Sequence, residues 1–310
     1  MAGAQGAKID RRRRLGAMLA AVLLGGGAVM AAETPLKLAE RGVPVVDLAI
    51  NGKGPFAMVL DTGAGLTTVT TALKDELGLL KVGRMAQPVQ LAGGAQTVDI
   101  YTLGFVMLAG EPAPAPITVI LDAPLRRVRE ARGILGMNVL SRFAVEIDQP
   151  GRRLSLHPAG TAPARGADWS LAPMARRADF FIVVEAEIDG VAARAMVDTG
   201  ANETILNAAL AEALGITPGA PGVGRAGSGI GGVPSLTGRV AALSVAGATW
   251  RDLDVQAADL PLFAALGLDD GPALVLGNDA LKLVRLHIDY AGDRLYLTRP
   301  PAEPMVGAGR

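Results

Sequence analysis

Ala57-Met58-Val59-Leu60-Asp61-Thr62-Gly63-Ala64 and, further along, Ala195-Met196-Val197-Asp198-Thr199-Gly200-Ala201 are the stretches whose reading decides the fold. Each is a short apolar run that suits a strand and ends in a carboxylate, followed at once by turn-forming Thr-Gly. A single Asp before Thr-Gly is ordinary turn chemistry. Two copies, each closing the same kind of strand in its own half of the chain, point to two acids brought face to face and able to share one proton.

The duplication runs well beyond the tetrads, which lie 137 positions apart. That offset carries Leu73, Leu77, Gly78 and Leu79 onto Leu210, Leu214, Gly215 and Ile216, a short amphipathic helix that ends at glycine in both copies. It also carries Ala109-Gly110 onto Ala246-Gly247 and Pro124-Leu125 onto Pro261-Leu262. Thereafter the offset is 141, as one four-residue insertion in the second copy requires, and pairs Leu135-Gly136 with Leu276-Gly277 and Ile147-Asp148 with Ile288-Asp289. A period this long is far from the roughly 20–50 residues of solenoid repeats and describes a duplicated domain.

Short β-branched runs dominate both halves: 43–50, 56–60, 97–108, 143–148 and 153–156, then 181–188, 194–197, 239–245, 284–289 and 294–297. Asn51-Gly52, Asp189-Gly190 and Pro150-Gly151 punctuate them as turns. The expected fold is therefore mostly β with a few short helices. The expected division is 1–32 leader or anchor, 33–158 first lobe, 159–170 linker, 171–299 second lobe and 300–310 tail.

The chain has 310 residues, half of them hydrophobic, enough for two cores of ordinary size. Arg11 to Arg14 precede the apolar run Leu15 to Met30 and the small residues Ala31-Ala32, the pattern of an export signal; the same segment, residues 15–32, also suits an uncleaved membrane anchor. Either places the body outside the cytoplasm, in the periplasm, secreted or tethered. Cleavage after Ala31 would leave 25 basic against 29 acidic residues, a net charge of −4 and a poor match to nucleic acid. The chain has no cysteine, so disulfide frameworks and lipidated cysteines are excluded.

The paired Asp-Thr-Gly-Ala tetrads, the later apolar-Gly segments Ile134-Leu135-Gly136 and Val275-Leu276-Gly277, and the glycine-rich stretches between them resemble the retropepsin-like and pepsin-like aspartic proteases, nearest to the bacterial single-chain form. The resemblance covers nearly all of residues 42 to 299. It implies two homologous β-barrel lobes with the active site between them, a catalytic pair Asp61 and Asp198, and a monomer acting on a peptide or protein substrate without a cofactor. In such a dyad a water between the acids attacks the scissile carbonyl while one proton is shared. Thr62 and Thr199 are implied to tie the two loops together, and Gly63 and Gly200 to let backbone approach the acids. Ala64 and Ala201 replace a hydroxyl that pepsin-like enzymes often carry, and this favours a working pH from mildly acidic to near neutral. Gly93 and Gly94 in one half, and Gly229, Ile230, Gly231 and Gly232 in the other, are expected at the tips of substrate-covering hairpins. A non-catalytic peptide-binding module on the same fold is the alternative, and hydrolysis of a non-peptide amide is a third reading.

Other signals carry less. Gly222-Val223-Gly224-Arg225-Ala226-Gly227 has dinucleotide-fingerprint spacing but neither a strand immediately before it nor a helix after it. The chain's two histidines, His157 and His287, do not align under the repeat, lack cysteine partners and are expected to be structural, so no metal is expected. Arg126-Arg127-Val128-Arg129-Glu130 reads as a solvated face.

Overall fold

Both halves build the same strand-turn-strand unit first. Pro44–Ile50 and Lys53–Leu60 pair antiparallel around Asn51-Gly52, and Phe181–Ile188 pairs with Val191–Val197 around Asp189-Gly190. The two central residues of each turn have positive φ, 52° and 73° in the first and 45° and 82° in the second. That turn geometry matches the right-handed twist of the flanking strands. The structure is a computed structural model, which describes residues 31–39, 42–85, 89–91, 94–114, 117–122, 128–164, 168–177, 181–225 and 233–301. Residues 1–30, which carry most of the expected leader, and 302–310 of the expected tail lie outside these. Among the described residues no helix is long and apolar enough to cross a membrane.

In each lobe the strand that leads to the aspartate is flanked in parallel by the strand that ends just before Gly136 or Gly277. Leu60 lies opposite Leu135 in the first lobe and Val197 opposite Leu276 in the second. A two-residue strand, Thr68–Val69 or Ile205–Leu206, runs antiparallel to that partner and feeds a short helix. Thr70 caps Thr71–Leu77 through its side chain and Asn207 caps Ala208–Ala213, satisfying backbone N–H groups that a helix start leaves open. In the second lobe Phe181–Ile188 also pairs with Leu236–Val245, which closes the sheet on itself.

The expected single strand over 97–108 is two strands, Asp99–Thr102 and Phe105–Leu108, whereas its counterpart Leu236–Val245 is continuous. Gly104 is the reason: its φ is +74°, and a Cβ there would come within 2.5 Å of Asn51 Oδ1. On the partner side Glu111–Pro114 pairs with Phe105–Leu108 and Ile117–Ile120 with Asp99–Thr102, where the second lobe has Ala248–Ala257. The register is nevertheless shared, since Leu108 pairs with Glu111 as Val245 pairs with Ala248.

Six antiparallel strands join the lobes, in the order Ala32–Pro35, Arg153–Pro158, Phe143–Asp148, Arg285–Asp289, Arg294–Leu297 and Ser170–Arg177. At its centre Glu146 lies opposite His287. These two are each other's equivalents under the 141 offset, so the pseudo-two-fold axis passes between them. Two expected boundaries shift by one residue, because Ala32 already pairs with Leu156 and Ser170 with Leu297. Side chains alternate across this sheet. Val145, Ile147, Leu286 and Ile288 join a core that continues through both lobes to Leu60 and Val197, while Glu146, Asp148, Arg285 and His287 stand on the other face. Fully burying an aliphatic side chain is worth about 1.5–3 kcal/mol, so a core shared across the lobes makes each depend on the other.

Candidate active site

The sheet delivers both aspartates to the same place. Asp61 N donates to Leu135 O at 3.1 Å and Asp198 N to Leu276 O at 3.1 Å, extending each parallel ladder by one bond beyond the strand end. The loops then cross. Thr62 Oγ1 donates to Val197 O at 3.0 Å and accepts from Thr199 N at 3.0 Å, while Thr199 Oγ1 donates to Leu60 O at 2.7 Å and accepts from Thr62 N at 3.1 Å. Both threonines are fully buried, so these four bonds satisfy groups that have no water to turn to.

Glycine is required beside each acid. A Cβ on Gly63 would lie 2.2 Å from the Asp198 carboxyl carbon, and one on Gly200 would lie 2.3 Å from that of Asp61. Each loop thus presents bare backbone to the opposite aspartate. Gly63 N donates to Asp61 Oδ1 at 2.8 Å, and Gly200 N and Ala201 N to Asp198 Oδ1 at 2.8 and 3.0 Å. Ala64 and Ala201 otherwise serve through their carbonyls, which accept from Met137 N at 2.8 Å and Asn278 N at 2.7 Å.

The two carboxyl groups face one another, each close against the glycine of the opposite loop, and each shifts the titration of the other. Burial first, and then the charge of Asp198, push Asp61 well above the ordinary carboxylate range. Burial also raises Asp198, partly offset by Asp61 and by the backbone donors of Gly200, Ala201 and Gly63. Two acids so placed hold one proton between them more readily than none, and that proton belongs to the pair.

Asp61, Thr62, Gly63, Ala64, Asp198, Thr199, Gly200 and Ala201 are therefore brought to one site. The expected covering hairpins are described only in part. Val89–Leu91 and Gly94–Gln96 form a two-stranded antiparallel ladder that includes Gly94, and Val89–Leu91 runs beside the second lobe's helix Pro261–Ala265. Gly93, Gly229, Ile230, Gly231 and Gly232 lie outside the described residues.

Two supporting pairs, one in each lobe, escaped the sequence reading. Asn138 Oδ1 accepts from Thr67 N and Thr67 Oγ1, both at 2.8 Å, and Asp279 accepts from Thr204 N at 2.9 Å and Thr204 Oγ1 at 2.8 Å. These pin the chain after each dyad loop to the helix after each apolar-Gly segment. The signal was present: Thr67 and Thr204 match at the first offset, and Asn138 and Asp279 at the second.

No curated protein gives a significant match to the chain. A family model described as aspartyl protease matches twice, over residues 46–139 and 184–280. One match falls in each lobe and each contains a dyad loop with its supporting segment, so the chain belongs to the aspartyl protease family as a two-lobed single-chain form.

Proposed function

We propose that the protein is an aspartic endopeptidase that hydrolyses peptide bonds with Asp61 and Asp198 as its catalytic pair. The observation that carries this reading is the facing of two carboxyl groups across crossed threonine bonds, each acid raised chiefly by burial. With one proton on the pair, the ionised oxygen takes a proton from a water held between the acids as that water attacks the scissile carbonyl. The protonated oxygen donates toward the developing oxyanion, and the resulting gem-diol collapses with transfer of a proton to the leaving amine. No covalent intermediate is needed. Both acids come from one chain, which supports a monomeric enzyme. Arg11 to Arg14 and the apolar run after them support export, with the body outside the cytoplasm either released or tethered by residues 15–32.

Incubation of the protein with a diverse peptide library from pH 3 to 8, beside the Asp198→Asn variant, tests the proposal. Turnover is expected from mildly acidic to near-neutral pH and a loss of at least about 10²–10⁴-fold in the variant, the range for removing a positioned acid-base group. Folded protein that binds peptides without cutting them, equally with and without Asp198, would instead support a binding module.

A further inference from the structure

The outer face of the interlobe sheet carries a second convergence of chemistry-bearing side chains, unrelated to the dyad. Glu146 and His287 meet on the pseudo-two-fold axis, and His157 stands on the adjoining strand, opposite Ala144. Glu146 Oε2 lies 3.9 Å from His157 Nε2 and 3.9 Å from His287 Nδ1, and the three atoms lie within 4.8 Å of one another. The site is well covered: the side chains are 8% exposed for Glu146, 17% for His157 and 0% for His287. Trp169 and Tyr296 stand edge-on to the His287 ring at centroid distances of 6.3 and 5.8 Å.

The remaining atoms of the cluster are already committed in a way that turns these three inward. His287 Nε2 lies 2.8 Å from the carbonyl oxygen of Thr161, which can only accept, so Nε2 carries a proton and Nδ1 is the ring nitrogen that faces Glu146. Arg285 Nη2 donates to Glu146 Oε1, leaving Oε2 toward the imidazoles. His157 Nε2 and His287 Nδ1 are both buried with no hydrogen-bond partner. Leaving such a group unsatisfied costs about 1–3 kcal/mol, and here two do so side by side. A proton on either ring would face a 3.9 Å gap, too long for a hydrogen bond, and would meet Glu146 only as a loose ion pair that serves one nitrogen.

We propose that Glu146, His157 and His287 form a zinc site that fastens the two lobes together on the face of the sheet away from the dyad. Two imidazole nitrogens and a carboxylate oxygen are donors suited to Zn²⁺. An ion at about 2.0–2.1 Å from each sets tetrahedral donors about 3.4 Å apart, so the two 3.9 Å Glu146 gaps need to close by about 0.5 Å and the gap between the imidazole donors, within 4.8 Å, by at most about 1.4 Å. The outer partners are those a metal-binding histidine and carboxylate ordinarily have: a backbone carbonyl on the far nitrogen of His287 and a guanidinium on the far oxygen of Glu146. Water completes the fourth position. Glu146 and His157 belong to the first lobe and His287 to the second, so the ion bridges the halves of the molecule, beside Thr161 and Trp169.

The test is zinc binding by the full chain after stripping with chelator, read by titration calorimetry and by thermal midpoint, with no use of peptidase activity. One Zn²⁺ per chain is expected, with a Kd of about 1 μM or tighter and a higher midpoint with zinc than without. Binding should weaken at least tenfold in His157→Gln and be unchanged in Asp198→Asn. Absence of binding, binding indifferent to His157→Gln, or binding abolished by Asp198→Asn would each overturn the site. If His157→Gln does not fold, Co²⁺ added to the Asp198→Asn chain decides. Intensified visible bands of a four- or five-coordinate ion support the assignment, and a spectrum unchanged from aqueous Co²⁺ rejects it.

Discussion

Asp61 sits where its charge is penalised, and this has a thermodynamic sign that can be measured. A carboxyl group whose folded pKa is raised contributes its stability fully below the unfolded value near 4 and loses it as pH rises through the folded value. At neutral pH the dyad therefore opposes folding. Asp61→Asn keeps the shape and removes the ionisable group, so it is expected to stabilise the fold at pH 7 by roughly 0.5–2 kcal/mol, seen as a higher thermal midpoint. The gain should vanish at pH 3, where the native acids are protonated. Calorimetric scans of both proteins at the two pH values check this, and a variant less stable than the parent at pH 7 would contradict it. The dyad was legible in the sequence because an identical tetrad repeats at one offset. The Glu146–His287 pair was not, because a search for like residues at like positions passes over it. At a pseudo-two-fold axis a residue meets its own equivalent, and those equivalents here are a carboxylate and an imidazole.

The loops that carry the acids are coupled elements, and Thr62 and Thr199 are the coupling. Replacing Thr62 by Val preserves volume, but it leaves Val197 O without its donor and Thr199 N without its acceptor in a site closed to water. The expected cost is about 1–3 kcal/mol, seen as a lower midpoint in urea unfolding with an unchanged slope. Thr199→Val should cost about the same through Leu60 O and Thr62 N, and the double variant less than the sum, because both changes break one shared network. Additive losses would mean that the loops are held independently. At this scale the sequence was a partial guide. The tight hairpins were visible because Asn-Gly and Asp-Gly have few other uses between apolar runs. Ala248–Ala257 was not, since Arg251, Asp252 and Asp254 interrupt the apolar alternation of Trp250, Leu253 and Val255, and Asp252 takes a left-handed φ of 51° in mid-strand. Ala32–Pro35 was missed because it is a four-residue edge strand, and Ser170–Arg177 because Pro173 and the charged Arg176-Arg177 break its apolar pattern although it is paired to both Arg294–Leu297 and Phe181–Ile188.

At the scale of the molecule, the duplication did not produce two independent domains. Phe143–Asp148 of the first lobe pairs along its length with Arg285–Asp289 of the second. The inner face of that sheet is part of a core running continuously from Leu48 and Leu60 to Leu206 and Leu276. Separating the lobes would expose Val145, Ile147, Leu286 and Ile288 together with two strand edges, all buried or paired in the intact protein. Further polar contacts cross the same boundary: Asn278 Nδ2 donates to Gly42 O at 2.7 Å, and Gln149 Nε2 to Asn278 Oδ1 at 2.6 Å. A chain joined only by its linker would unfold in two steps, one for each lobe. The continuous core predicts a single transition in denaturant. The tryptophans allow this to be checked without labels, because the chain has only Trp169, beside the interlobe sheet, and Trp250, buried in the second lobe. Fluorescence therefore follows the second lobe and the interlobe sheet, whereas far-ultraviolet circular dichroism follows the strands of both lobes. Coincident midpoints are the expected result; a dichroism transition that begins before fluorescence changes would show the first lobe unfolding alone and the interlobe sheet to be a weak joint.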